Sequence, residues 1–209
     1  MTLQNRVDPW GALHAHASRA ATRMGNRGIL HDAENKILRP WRHQHWVCCL
    51  MSFKGIQRKP FSQGKYSELF FLDEATAFAA GHRPCSYCQR ERSALFYAAW
   101  SKANTDSARE QANITFPEID KILHKERAIR GSGKVTYQAR LDALPLGTMV
   151  ELEGNAYLLW TKGLRAWSFD GYDQHQHSTG ETLVRVLTPR SIVGAFAAGF
   201  LPLVHPTAA

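Results

Sequence analysis

Between Asp73 and Cys88 the chain marks where one helix begins, where it stops and where a cysteine pair is set behind it, and this stretch constrains the fold more than any other. Asp73 is a favourable N-cap because its side-chain oxygen can accept one of the unpaired N–H groups of a first helical turn. Glu74 suits the positive end of the helix dipole, and Ala75–Ala80 is strongly helix-forming. Gly81 stands where a left-handed C-cap belongs, and Pro84 cannot continue a helix. Cys85-Ser-Tyr-Cys88 comes next, and this spacing lets two thiolates converge on one ion about 2.3 Å from each sulfur. A redox dithiol would sit between a strand and a helix start. Here the pair comes after a helix stop, although a second helix beginning near Glu91 keeps that alternative open.

The remaining cysteines, Cys48 and Cys49, are adjacent. Met1–Trp10 is polar with no apolar region after it, so a cytoplasmic location is expected, where four cysteines point to metal or reactive chemistry rather than disulfides. The longest apolar runs, Ala94–Trp100 and Ile192–Ala198, fall far short of a membrane span, and no membrane partner is expected. Neighbours on a strand face opposite ways, so only one of Cys48 and Cys49 can join Cys85 and Cys88 unless the strand is irregular. On a strand over Trp46–Phe53, Cys49 shares its face with His43, His45, Met51 and Phe53, and Cys48 shares its face with Trp46 and Leu50. The histidines favour Cys49 as a third ligand of a zinc ion. The fourth would be His45 or His31, or Cys48 where the backbone is irregular.

The net charge of +8 points to a polyanionic partner. Arg39–Lys65 holds Arg39, Arg42, Lys54, Arg58, Lys59 and Lys65 with no acidic residue, interleaved with Trp41, Trp46, Phe53 and Phe61. Lys121–Lys134 is a second basic stretch. Bases with aromatics are the footprint of nucleic-acid binding, through phosphate contact and stacking, with a solubilising surface as the bland alternative. Arg42, Lys54, Arg58, Lys59 and Arg83 are the candidate phosphate contacts. No His-Glu-x-x-His, nucleophile elbow or P-loop occurs, so nothing assigns an enzyme activity.

Gly28–Pro40 reads as a hairpin, Tyr66–Leu72 as a strand, and Pro117 as the opening of a helix running towards Gly131. Beyond Gly133, short runs separated by Gly154 and Gly163 spell an antiparallel meander or small barrel, with a polar loop at Asp173–Gly180 and a last helix after Thr188. The organisation expected is an N-terminal arm (1–24), a metal-binding module (25–103), a helical connector (104–133) and a small β domain with a C-terminal helix (134–209). Tyr157, Trp160, Trp167, Phe169 and Tyr172 are either a groove or core. His175 and His177 form a His-x-His pair in the polar loop. Ala77–Pro84 and Ala195–Pro202 echo one another, which helix capping alone can produce.

Glu74–Gln89 resembles the second half of the Ada-type metal-binding domain, in which a short helix ends in Ala-Gly-x-Arg-Pro-Cys-x-x-Cys. The resemblance is tight over about sixteen residues and loose over Gly28–Arg92. It implies Cys85 and Cys88 as zinc ligands, a DNA partner, and a thiolate that accepts a methyl group from a DNA phosphotriester. That family spaces its first two cysteines as Cys-x-x-x-Cys, whereas here Cys48 and Cys49 are adjacent. The whole chain is also similar to bacterial proteins in which such a module precedes a small β domain. The expected fold class is α+β. The expected function is a zinc-stabilised protein that binds nucleic acid, DNA more than RNA. The alternatives are a purely structural zinc module supporting a protein-interaction domain, and a zinc-thiolate methyl acceptor.

Overall fold

The computed structural model describes residues 2–56, 59–129, 131, 133–176 and 180–209, without the side chains of 109, 110, 112 and 174–176. Among the described residues the chain is α+β, with two six-stranded sheets joined by helices. The first sheet contains β1 (Gln4–Val7), β2 (Leu13–Ala15), β3 (Arg23–Asn26), β4 (Val47–Leu50), β5 (Leu69–Phe71) and β6 (Arg83–Pro84), in the order β2-β1-β5-β3-β4-β6. The pairs β1–β5 and β4–β6 are parallel and the others antiparallel. The described part of the expected arm (1–24), residues 2–24, is therefore not an arm, since it supplies β1, β2 and the start of β3. Gly28–Pro40 is a minimal hairpin, with one bridge between His31 and Ile37.

Gly25 in β3 pairs with Cys48 in β4, and a Cβ on Gly25 would lie 2.2 Å from the Val47 carbonyl oxygen. Only glycine allows the two strands to approach this closely, and the approach fixes the strand that carries Cys49.

The second sheet contains β7 (Tyr137–Arg140), β8 (Met149–Leu152), β9 (Asn155–Trp160), β10 (Gly163–Ser168), β11 (Gly171–Gln176) and β12 (Leu183–Val186). Its order is β11-β10-β9-β8-β12-β7, all antiparallel and open, so the barrel alternative does not form. The β8–β9 turn has Glu153 (φ 51°) and Gly154 (φ 79°) at its centre, the pair of positive angles that matches strand twist in a tight hairpin. The expected loop at Asp173–Gly180 is instead strand as far as Gln176. Its polar residues disguise β11, an edge strand with one neighbour. Tyr157 and Tyr172 are buried and Trp160 and Trp167 pack on the core, so these four are core, while Phe169 is half-buried against His14, His16 and Trp167.

The helices are α1 (Glu74–Ala79), α2 (Arg90–Asn104), α3 (Ala108–Asn113), α4 (Phe116–Arg127) and α5 (Arg190–Ala197). All six residues of α1 are buried. Ala75 and Ala79 face the second sheet with Met149, Leu158 and Tyr172; Ala77 faces the first sheet with Val7, Leu69 and Phe71; Phe78 meets Phe96, Phe196 and Phe200 of the helical layer. Small side chains let three layers converge on one short helix. Its end repeats in α5: His82 N–H bonds the Ala77 carbonyl, Phe200 N–H bonds the Ala195 carbonyl, and Gly81 and Gly199 both have positive φ. The sequence echo is thus one capping geometry used twice.

Asp73 holds this hub. One carboxylate oxygen accepts from the Thr76 N–H and hydroxyl at 2.8 Å each, and the other accepts from the Tyr172 hydroxyl and His205 N–H at 2.9 Å each. Asp73→Ala removes the cap and leaves buried donors unpaired, so a loss of about 3 kcal/mol is expected in urea unfolding. A loss below about 1 kcal/mol would mean the cap is dispensable.

Candidate metal centre

Cys49 reaches the site from β4, while Cys85 and Cys88 reach it from the turn between β6 and α2. The parallel β4–β6 ladder continues beyond Pro84, where Cys85 N–H donates to the Cys48 carbonyl at 2.8 Å. Gln89 then closes the turn: its N–H bonds the Cys85 carbonyl at 2.9 Å, and its side-chain amide bonds the Cys48 carbonyl at 2.8 Å. No sequence pattern singles out Gln89. Its place next to Cys88, at the head of a helix, is the one signal that points to it.

The sulfurs of Cys49, Cys85 and Cys88 all lie within 4.8 Å of one another. Tetrahedral zinc–thiolate bonding spaces sulfurs about 3.8 Å apart, which is compatible with that limit, so the donor set can hold a metal ion. All four cysteines are free thiols. A hydrogen bond from the Cys49 thiol is the largest influence bringing Cys85 down to about 5; burial opposes it, and the N–H groups of Cys88 and Tyr87 reinforce it. Cys88 is also lowered, chiefly by Cys49 and further by the Leu50 N–H. Cys49 is pushed up because it donates to both partners. The cluster is thus polarised towards thiolate before any ion binds.

Cys48 points the other way, as strand alternation requires. It is packed with Val7, Leu69 and Phe71, and burial raises its thiol well above the usual range. It does not join the cluster. Neither histidine candidate does either. β4 starts at Val47, so His45 lies before the strand and does not share its alternation; its Nδ1 sits 2.8 Å from Asp120 Oδ2. His31 is buried, with Nδ1 2.6 Å from the Ser67 hydroxyl and its ring stacked on Phe61.

The three cysteines open on a cavity of about 360 Å³ lined by Met24, Leu50, Met51, Phe53, Ile56 and Tyr87 among others. Tyr87, Met51 and Ile56 are exposed on its rim, and the Lys54 ammonium stands 5.4 Å from the ring centres of both Phe53 and Tyr87.

The basic residues divide. Arg42, Lys54 and Lys59 are exposed, and Arg58 lies outside the described residues. Arg83 is buried, with Nε and Nη2 each 2.8 Å from an Asp120 oxygen and its guanidinium 4.2 Å from the Phe116 ring centre. It is a structural ion pair and cannot reach a phosphate. In the second basic stretch Lys121 and Lys125 are exposed, whereas Arg127 turns inward. The His175 side chain and His177 lie outside the described residues. Among the described residues no helix is long and apolar enough to cross a membrane.

Comparison with protein-family profiles, with curated protein sequences and with solved structures finds no match to the chain.

Proposed function

We propose that the protein is a zinc-binding protein of Ada-like type whose metal module presents a basic, aromatic-rimmed surface to nucleic acid, DNA in the first place. The observation that carries this reading is the convergence of the Cys49, Cys85 and Cys88 sulfurs beside exposed Lys54 and Tyr87. Three soft thiolate donors from a Cys-x-x-Cys turn and a neighbouring strand favour zinc over harder ions. The fourth position would be taken by solvent or by a group entering the cavity. Lys54, Lys59 and Arg42 supply phosphate contacts from the same stretch of chain, and Tyr87 and Phe53 supply stacking faces.

The test is fluorescence anisotropy with duplex and single-stranded DNA across a salt series. Binding is expected at low salt. Lys54→Ala combined with Lys59→Ala is expected to flatten the log–log salt slope by about 1.5, one phosphate contact being worth about 0.7–0.9. An unchanged slope, or no binding at low salt, sinks the nucleic-acid reading.

A second reading, that one thiolate accepts an alkyl group, is favoured by the cavity on which all three sulfurs open. Methyl transfer to a cysteine would add the mass of one CH2 to the protein after incubation with DNA carrying methylated phosphates. An unchanged mass rejects it.

A further inference from the structure

A second cavity, of about 750 Å³, shares no lining residue with the one at the cysteines. Its wall includes Arg27, Arg127 and Lys134 together with Trp10, Trp41 and Trp46. Arg27 and Arg127 are 2% and 3% exposed. Both guanidinium carbons stand over the Trp46 ring, 4.3 and 4.1 Å from its centroid.

None of the three cations has a carboxylate within 4.0 Å among the described residues. Their partners are neutral. Arg27 donates to the Gly11 carbonyl at 2.8 Å and to His82 Nε2 at 3.3 Å. Arg127 donates to the Gly81 and Gln44 carbonyls, and Lys134 to the Ala79 carbonyl. The nearby acids are engaged elsewhere: Asp8 with His14 at 2.7 Å, and Asp120 with Arg83 at 2.8 Å. Arg27 Nη2 and Arg127 Nε are buried with no partner. Burial pushes Arg27 and Arg127 down to about 9 and Lys134 to about 7, and it holds His82 neutral. Arg27 and Arg127 are buried and Lys134 is half-buried, and Asp8 and Asp120 compensate them only from beyond ion-pair distance, so an anion in the cavity offsets a remaining cost.

Three cations match a dianion better than a monoanion, and the unpartnered Arg27 Nη2 and Arg127 Nε are the guanidinium donors left for its oxygens. Half-buried Trp41 and Trp10, with Leu13 and Ile37, give the same cavity a planar, apolar side. The volume falls within the range of about 300–1,000 Å³ usual for small-molecule sites. We propose that this cavity binds a nucleoside monophosphate unit, its phosphate held by Arg27, Arg127 and Lys134 and its base lying against the tryptophans. The unit is either a free nucleotide or the 5′-terminal nucleotide of a strand. The site goes beyond the metal reading and does not depend on it.

The test uses the full chain, with AMP, adenosine, ribose 5-phosphate, inorganic phosphate and a 5′-phosphorylated oligonucleotide, read by tryptophan fluorescence and melting temperature. AMP or the phosphorylated oligonucleotide is expected to bind at least about tenfold more tightly than adenosine and inorganic phosphate, since each of these lacks one half of the contacts. Tighter binding of AMP assigns the site to free nucleotides, and tighter binding of the oligonucleotide assigns it to strand ends; both support the proposal. Lys134→Met is expected to raise the melting temperature of the free protein while weakening AMP about tenfold or more. Trp41→Ala, on the half-buried side of the cavity, is expected to weaken AMP and leave ribose 5-phosphate unchanged. The proposal is overturned if neither AMP nor the oligonucleotide binds, if inorganic phosphate binds as well as they do, or if Lys134→Met binds AMP like the unaltered chain.

Discussion

If the cluster holds zinc as proposed, serine in place of Cys49, Cys85 or Cys88 is expected to reduce bound zinc from one equivalent to near none, whereas serine at Cys48 leaves it bound. The three sulfurs lie within 4.8 Å of one another, and Cys48 sits on the opposite face of β4. Elemental analysis of the four purified variants reads the difference directly. Because an ion held only by the folded chain adds its binding free energy to folding, the three metal-free variants should melt together with the chelator-treated parent. Cys48→Ser behaves differently. It keeps the metal but buries a hydroxyl among Val7, Leu69 and Phe71, a cost of about 1–3 kcal/mol. Loss of zinc from Cys48→Ser with retention in Cys49→Ser would overturn the ligand set.

The same cluster fixes the sign of the pH dependence. Cys49 holds its proton in the free protein, being pushed up by donation to Cys85 and Cys88. Metal binding must expel that proton, so affinity is expected to rise with pH and fall on acidification.

Asp120→Ala is expected to be the most destabilising single substitution away from the metal, at about 3–5 kcal/mol, because it leaves the buried Arg83 guanidinium uncompensated. Asp120 is fully buried, and it also accepts the contact from His45 Nδ1. Its pairing with Arg83 fixes β6, two residues before Cys85, so a weakened metal site should accompany the lost stability. Asp120→Asn keeps the shape and one acceptor and should lose less. Urea unfolding with zinc analysis on both variants provides the check; a loss below about 1 kcal/mol for Asp120→Ala would mean that the ion pair does not hold β6.

The legibility of the chain tracks the range of the forces involved. The block from Asp73 to Cys88 is readable because capping, helix propensity and the Cys-x-x-Cys turn act between neighbours. That a turn occurs at Gly154 is readable for the same reason, but the turn centres on Glu153-Gly154, with Asn155 already in β9, not on Gly154-Asn155 as the sequence suggests. His45 is misplaced by sequence because strand alternation does not extend to residues that precede β4, and His31 because its partner, Ser67, is 36 residues away. Arg83 and Arg127 read as surface charge because what holds them, Asp120 for one and the Trp46 ring with distant carbonyls for the other, is remote in sequence. β1, β2 and β3 escape a sequence reading because strands of three or four residues are too short to show a period.

The six-residue helix at the centre has a consequence for how the molecule comes apart. A helix that short is unstable by itself in water, where isolated helices below about 12–15 residues are marginal. It therefore exists only while both sheets and the helical layer grip it together. Loss of any one layer withdraws support from the other two, so heat or denaturant should unfold the chain in one cooperative step rather than region by region.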